Sequence, residues 1–549
     1  MAESVIQHAL RRLKEIGVDD VFGVAGDYAF SVNDAIVEHP AINWIGCCNE
    51  LNAAYAADGY ARMRGVGAVC TTYGVGELAA MSAIAGSYAE HLAVFHLIGT
   101  PNLPTQEERA LVHHTLGNGE FDLFSRMAEA VVCASAIMTP QTVAPETERL
   151  IAEALYHRRP VYMAFPSDVA NAPVLAAAPP LSPPTTDPES LAAATDAVTA
   201  ALQNAGEACA LPGVLLRRLG LQAAVRAFVD ASGLPFATMF GDKSVLGEDH
   251  PGYIGMYAGR LMEEPVRAFV ESCDAVVMIG ATLTDGNTAG FTARLDPDKT
   301  INIGHHCVTV GKTVYRNVEI ADVLAQLSGH IGHRFQRPAI APGTLGPIVN
   351  GGDDPITADA LYPRWADFFR PNDVIITDTG TSSLGLAFAQ LPMGAEFHNQ
   401  TLWASIGWAT PAAYGAAIGA PDRRLILITG EGAHQMTAQE ISQFGRRGLR
   451  PIVFVLNNSG YLSERMLCKD MAIAYNDIAA WNYAELPHAL GCQGWFTVRV
   501  SSCGELDDAL KAAEQSNGAA YIEVITDAYE APPMYKKLHE NVKSFYNLG

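Results

Sequence analysis

Apolar positions at the start of the chain recur at helical spacing. Val5, Ile6, Ala9, Leu10, Leu13 and Ile16 fall on one face, which predicts an opening helix packed against a sheet. Short unbroken apolar runs follow: DDVFGVAGDY, NWIGCC, AVCTTYGVGE, LAVFHLIG and, near residue 160, PVYMAFPSDV. Between them lie helical stretches, two of which open at Glu50 and Glu77. Strands and helices alternating in this way predict a parallel sheet wound on both faces. Residues 172–190 are proline-rich and weakly patterned, hence a linker. A second α/β rhythm has strands near Ala208–Leu211, Pro235–Thr238, Ala275–Ile279 and Thr300–Ile303, and a second linker spans 337–356. The third block opens on DVIITDTGTSS and closes with a helix from Met534 to Tyr546. The expectation is an α/β protein of three doubly wound parallel-sheet domains, at 1–171, 191–336 and 357–549.

Composition narrows the partners. Against 36 Lys and Arg stand 59 Asp and Glu, a net charge of −23 that disfavours nucleic acid and anionic membrane surfaces. Ten scattered cysteines without a CxxC pair argue against a disulfide framework or a zinc site. The opening helix is amphipathic rather than a signal peptide, and no apolar run approaches membrane-spanning length. A soluble cytoplasmic protein is expected.

The chemistry concentrates between Ile428 and Glu464. A strand (LILIT) runs into Gly430-Glu431-Gly432, then come a helix, a second strand (PIVFVL) and Asn457-Asn458-Ser459-Gly460. The glycines permit a sharp turn, and the helix behind them presents unpaired N–H groups suited to a phosphate. The α/β rule places Asn457 and Asn458 at the same carboxyl edge as Glu431. A carboxylate at Glu431, the Asn458 amide oxygen and the Gly460 carbonyl could together hold a hard divalent ion, with Mg²⁺ the best match.

Gly-acid-Gly followed by Asn-Asn, with 27 residues from Glu431 to Asn458, resembles the thiamin diphosphate fingerprint. With the three-block layout, nearly the whole chain resembles the thiamin-dependent decarboxylases of pyruvate, indolepyruvate and branched-chain 2-oxo acids. That resemblance implies a first domain for the cofactor's pyrimidine, a third for its diphosphate, sites completed across a homodimer, and a homotetramer. It implies Glu50, in CCNELNAAYAADGYAR, as the acid against the pyrimidine nitrogen that promotes the ylid. Asp27 with His113 and His114 (GVAGDY; LVHHTLGNGEF), and Glu464 in NNSGYLSE, would move protons as the 2-oxo acid loses carbon dioxide through an enamine and leaves as an aldehyde. In ASIGWATP, Ile406 would brace the bent cofactor and the Ala404 carbonyl would accept from its amine. Thr379 would lie on the substrate side, and Gly430, Gly432, Ala433, Asn458 and Gly460 around the diphosphate.

Two departures from the family bear on function. Glu431 stands where the family has Asp, which predicts a weakened but working Mg²⁺ site. Tyr461-Leu462-Ser463-Glu464 replaces Tyr-Thr-(Ile/Val)-Glu, and Ser383, Leu384, Leu538 and Val542 take other pocket positions where bulkier groups can sit. The lost volume predicts a bulky or long-chain 2-oxo acid as substrate. A thiamin-dependent carboligase and a cofactor-impaired, non-catalytic relative are the rival readings.

Overall fold

Nineteen strands among the described residues form three separate sheets. The first sheet holds β1 (Asp20–Gly23), β2 (Asn43–Gly46), β3 (Val66–Thr72), β4 (Ala93–Thr100), β5 (Ala134–Ile137) and β6 (Val161–Pro166). All run parallel, in the order β2-β1-β3-β4-β6-β5. β3, β4 and β6 are buried along their whole length, which is why they read as unbroken apolar runs. The computed structural model describes residues 2–516 and 518–541.

The central sheet comprises β7 (Ala208–Pro212), β8 (Phe236–Thr238), β9 (Tyr253–Met256), β10 (Ala275–Ile279), β11 (Thr300–Gly304), β12 (Cys307–Val310) and β13 (Thr313–Arg316). Its main part is parallel, as expected, and it carries an antiparallel edge. β11, β12 and β13 pair antiparallel at one edge. The cause is local: Val310 pairs with Thr313 across a two-residue turn, and Gly311 takes φ +56° there. The helix Pro188–Asn204 also begins inside the stretch read as linker, its Asp187 cap bonded to the Ser190 N–H at 2.7 Å.

The third sheet holds β14 (Val374–Thr377), β15 (Glu396–His398), β16 (Leu425–Gly430), β17 (Ile452–Asn457), β18 (Phe496–Val500) and β19 (Ala520–Ile525). Its order, β15-β14-β16-β17-β19-β18, repeats that of the first sheet position for position. The shared rhythm of the first and third blocks is therefore a shared topology. In each sheet the chain reverses direction of growth beside its first strand, so a crevice opens at the carboxyl ends there.

The first and third units are fused. One apolar cluster takes Phe22, Ile45 and Val69 from the first sheet and Ile376, Leu427 and Val455 from the third. At its centre the helix Glu50–Arg64 crosses the helix Ala409–Gly419 with backbone against backbone at Gly59 and Gly415. A buried polar latch adds to this. Asp58 accepts from Arg62 Nε (2.8 Å), Ser87 Oγ (2.9 Å) and Trp408 Nε1 (2.9 Å), and the Arg62 guanidinium lies over the Trp408 ring. Both helices begin at or just after stretches expected to bear on the cofactor, Glu50 and Ala404–Ile406, so the crossing fixes those stretches relative to one another. The C-terminal helix runs Pro533–Asn541; the rest of its expected span, Val542 included, lies outside the described residues.

Candidate active site

Asp27 follows β1 in a short 3-10 turn, Asp27–Ala29. Its Oδ2 accepts from His113 Nε2 at 2.6 Å, and its Oδ1 lies 4.0 Å from His114 Nδ1. The Tyr28 ring stacks on His113, which meets His114 edge-on. The histidine loop is pressed onto the turn after β3. A Cβ at Gly74, which has φ +64°, would stand 2.0 Å from the His114 carbonyl oxygen, so only glycine fits. Slight burial would raise the Asp27 carboxyl, but the hydrogen bond from His113 and the charge of both imidazoles hold it below the ordinary range. Asp27 and the adjacent pair His113–His114, 86 residues further along the chain from Asp27 to His113, thus form one compact group of titratable side chains.

Glu50 opens its helix under an Asn49 cap, whose side chain accepts from Asn52 N at 2.8 Å. Its Oε1 faces Gly76, where a Cβ would lie 3.2 Å away. The turn is clamped by Glu440 of the third unit, which accepts from Cys48 N (3.2 Å) and Asn52 Nδ2 (2.8 Å). Burial pushes the Glu440 carboxyl up, against these donors. Glu440 has no place in the expected site, yet it ties the Glu50 turn to the segment that begins at Glu431.

At the third sheet the Gly-acid-Gly turn is corrected. The helix Glu431–Thr437 starts at Glu431, so only Gly430 belongs to the turn, and Gly432 is helical. Gly432 is required for a different reason, since a Cβ there would sit 2.5 Å from the Tyr461 ring. Glu431 is 1% exposed, and its Oε1 accepts from Gly460 N (2.8 Å) and Asn458 N (3.1 Å). Burial pushes its carboxyl up to about 7, opposed by those backbone donors. The extra methylene is thus spent folding the carboxylate onto the Asn458–Gly460 loop. Arg465 braces the same loop, donating to the carbonyls of Asn458 (3.0 Å) and Ser459 (2.7 Å).

The donor set suits a hard cation. Asn458 Oδ1 is buried and finds no hydrogen-bond partner among the described residues. Among the described residues the Gly460 carbonyl accepts only from Leu462 N, which leaves a second lone pair. The carboxylate borders a cavity of about 600 Å³ that also reaches Asn457, Ser459 and Trp481. Three oxygen donors of mixed type around one loop fit Mg²⁺ shared with a diphosphate.

The bracing segment is over-determined. Ala404 has φ +54°, a left-handed conformation uncommon for a residue with a Cβ. Its neighbours fix it: Ser405 N donates to Gln400 Oε1 (2.9 Å), Tyr55 OH donates to Ser405 Oγ (2.8 Å), and Leu402 N donates to Glu90 Oε1 (3.1 Å). The Ala404 carbonyl accepts no hydrogen bond among the described residues. Ile406 next to it is half-buried, and Thr379 Oγ1 donates to the Gln400 carbonyl at 2.9 Å.

The expected pocket residues gather around the C-terminal helix. Leu384, Leu462 and Leu538 join Phe240, Met256, Leu261 and Tyr535 in one apolar cluster. Ser383 Oγ accepts from Asn399 Nδ2 at 3.3 Å. Ser463 donates to the Tyr535 hydroxyl at 3.2 Å, so Tyr535, which sequence reasoning passed over, takes part of the room that serine leaves. Glu464 is exposed on the helix Leu462–Leu467 and makes no hydrogen bond or ion pair with Asp27, His113 or His114 in a single chain.

Comparison with known proteins finds likeness along most of the chain. Residues 4–123 match the family described as thiamine pyrophosphate enzyme, N-terminal TPP binding domain; 195–327 match its central domain and 378–524 its C-terminal TPP binding domain. The chain is 40% identical over 541 residues to the alpha-keto-acid decarboxylase of Mycobacterium ulcerans, covering 97% of this chain and 95% of that one. It is 40% identical to that of Mycobacterium tuberculosis (97% and 96% covered) and 39% identical to that of Mycolicibacterium paratuberculosis (98% and 96% covered).

Proposed function

The chain belongs to the thiamin diphosphate-dependent 2-oxo acid decarboxylases, and from that membership we propose how its own residues divide the work. Glu431, Asn458 and Gly460 would hold Mg²⁺ with the cofactor's diphosphate, beside the backbone at Gly430, Gly432 and Ala433. Glu50 would hold a proton at the pyrimidine ring nitrogen, Ala404 would accept from the ring's amine, and Ile406 would support the bend. When bound, thiamin diphosphate supplies a carbon nucleophile for the oxo carbon and an electron sink for the bond to carbon dioxide.

The grouping of Asp27, His113 and His114 carries the reading of a proton-delivering decarboxylase. Asp27 accepts from His113 Nε2 and so orients that imidazole, which can steady the substrate carboxylate and, when protonated, give a proton to the product carbon. Glu464 would be the second acid. In a single chain neither Glu464 nor Glu431 shares a hydrogen bond or ion pair with this group or with Glu50, which supports a site assembled between two copies as a homodimer or homotetramer. Among the described residues no helix is long and apolar enough to cross a membrane; we place the enzyme in the cytoplasm.

The substrate is a bulky or long-chain 2-oxo acid in this reading. Its support is the apolar wall of Leu384, Leu462 and Leu538 with only serine hydroxyls at 383 and 463. Tyr535 limits the gain, so the preference is set at about tenfold or more in kcat/KM for 2-oxooctanoate over pyruvate. Steady-state kinetics with both acids checks it, and a preference for pyruvate would refute it.

A further inference from the structure

We infer that Asp378 is a positioning residue that keeps the two cofactor-contacting turns of the third unit in register. The inference rests on the cofactor reading above and adds a residue to it. Asp378 follows β14 at the point where the third sheet changes its direction of growth, and it is fully buried. Its backbone N–H still pairs with the Ile428 carbonyl at 3.0 Å, so the residue is anchored to β16 before its side chain does anything.

The side chain then joins three segments. Both carboxylate oxygens accept from Gly407 N at 3.2 Å, directly beyond Ile406. Oδ2 also accepts from Thr429 Oγ1 at 3.1 Å, one residue before Gly430, and Oδ1 from Thr379 N at 3.2 Å. The bracing turn, the diphosphate turn and the substrate-side turn therefore meet on one carboxylate. It also lies at the N-terminus of the helix Ala409–Gly419, where a negative charge is favoured.

No Lys, Arg or His forms an ion pair with Asp378 among the described residues. Burial accordingly pushes its carboxyl up to about 7, with the Thr429, Gly407 and Thr379 donors opposing. A buried acid without a cation is a costly way to join loops. Every donor around it belongs to a segment assigned to the cofactor, and an amide in its place would turn an N–H₂ toward donors. Asp378 touches neither the reacting atoms nor the metal loop; it acts through Gly407 and Thr429.

The test uses the full-length protein with Asp378→Asn and Asp378→Ala. Calorimetric titration with thiamin diphosphate and Mg²⁺ should show affinity about 10–100-fold weaker, the loss typical when a supporting partner is removed. At saturating cofactor kcat should fall with KM for the 2-oxo acid unchanged, and the near-ultraviolet circular dichroism of the bound cofactor should change. Thermal unfolding of the cofactor-free Asn variant should stay cooperative, with a midpoint only a few degrees below the wild type and well above the assay temperature, because the carboxamide keeps the packing and loses about one buried hydrogen bond. Asn binding with wild-type affinity and an unaltered dichroism band would overturn the role, as would a cofactor-free Asn variant already unfolded at the assay temperature. Failure of the wild type itself to bind cofactor is a separate result, which removes the cofactor reading and this inference together.

Discussion

Glu50→Gln is expected to lower kcat by about a thousandfold while leaving the fold and cofactor affinity nearly unchanged. The magnitude is that of losing a positioned proton-transfer group, about 10²–10⁴. The fold should survive because the helix start does not depend on the Glu50 charge. Asn49 caps the turn, and Glu440 holds it through Cys48 N and Asn52 Nδ2. What is lost is a favourable charge at the first helical position, worth about 0.3–1 kcal/mol. Gln keeps the shape beside Gly76, so steric change is not a competing cause. Steady-state turnover together with calorimetric binding separates chemistry from binding. Activity within tenfold of wild type would remove Glu50 from the proton step.

Gly415→Ala should be the most damaging single change outside the chemistry. In an ordinary helix this swap stabilises by about 1 kcal/mol, because alanine is the better helix former. Here the added Cβ would stand 1.8 Å from the Ala56 carbonyl oxygen, and at Gly59 a Cβ would stand 2.0 Å from that of Ala412. Backbone on both sides leaves nothing flexible to yield. The two helices must separate, opening the core shared by the first and third sheets and pulling Trp408 from Asp58. A loss of about 4 kcal/mol or more follows, and cofactor affinity should fall with it, since Ala404–Gly407 lies just ahead of the displaced helix. Urea unfolding and soluble yield check the sign. A more stable Gly415→Ala protein would show that the helices are not locked in contact.

Much of this architecture is legible in the sequence, for reasons that particular elements make clear. β3, β4, β16 and β17 are buried along their length, so their apolar runs stand out between glycines and acids. Edge strands are harder. β5 has no fully buried residue, β18 alternates half-buried with exposed positions, and β15 is three residues long, too short to separate from loop. The β12–β13 hairpin did leave a signal, VTVGKTV, with a glycine between two alternating runs, which the expectation of helix-linked strands hid. Gly432 was assigned to a turn because glycine beside an acid suggests one. Its real constraint is the ring of Tyr461, 29 residues further along the chain, which no local pattern reveals.

The candidate site divides in the same way. Residues carried by contiguous motifs, such as Glu431 with Asn458 or the His113–His114 pair, can be found without coordinates. Residues that hold those motifs in place cannot. Asp58, Asp378 and Glu440 look in sequence like ordinary helix or turn acids, and their partners come from distant segments: Trp408 is 350 residues from Asp58, and Asn52 is 388 from Glu440. Tyr535 was missed because its role depends on the serine at 463, a pairing made only when the C-terminal helix folds back.

We propose that Glu431, in place of the family's Asp, still holds a metal that anchors thiamin diphosphate between the Gly430 turn and the Asn458–Gly460 loop. Calorimetric titration of the metal-stripped protein with thiamin diphosphate, with and without Mg²⁺, tests it most directly. Tight binding that requires Mg²⁺ and is lost in Glu431→Ala is the predicted result. Absence of binding, or binding indifferent to both Mg²⁺ and Glu431→Ala, would contradict the account.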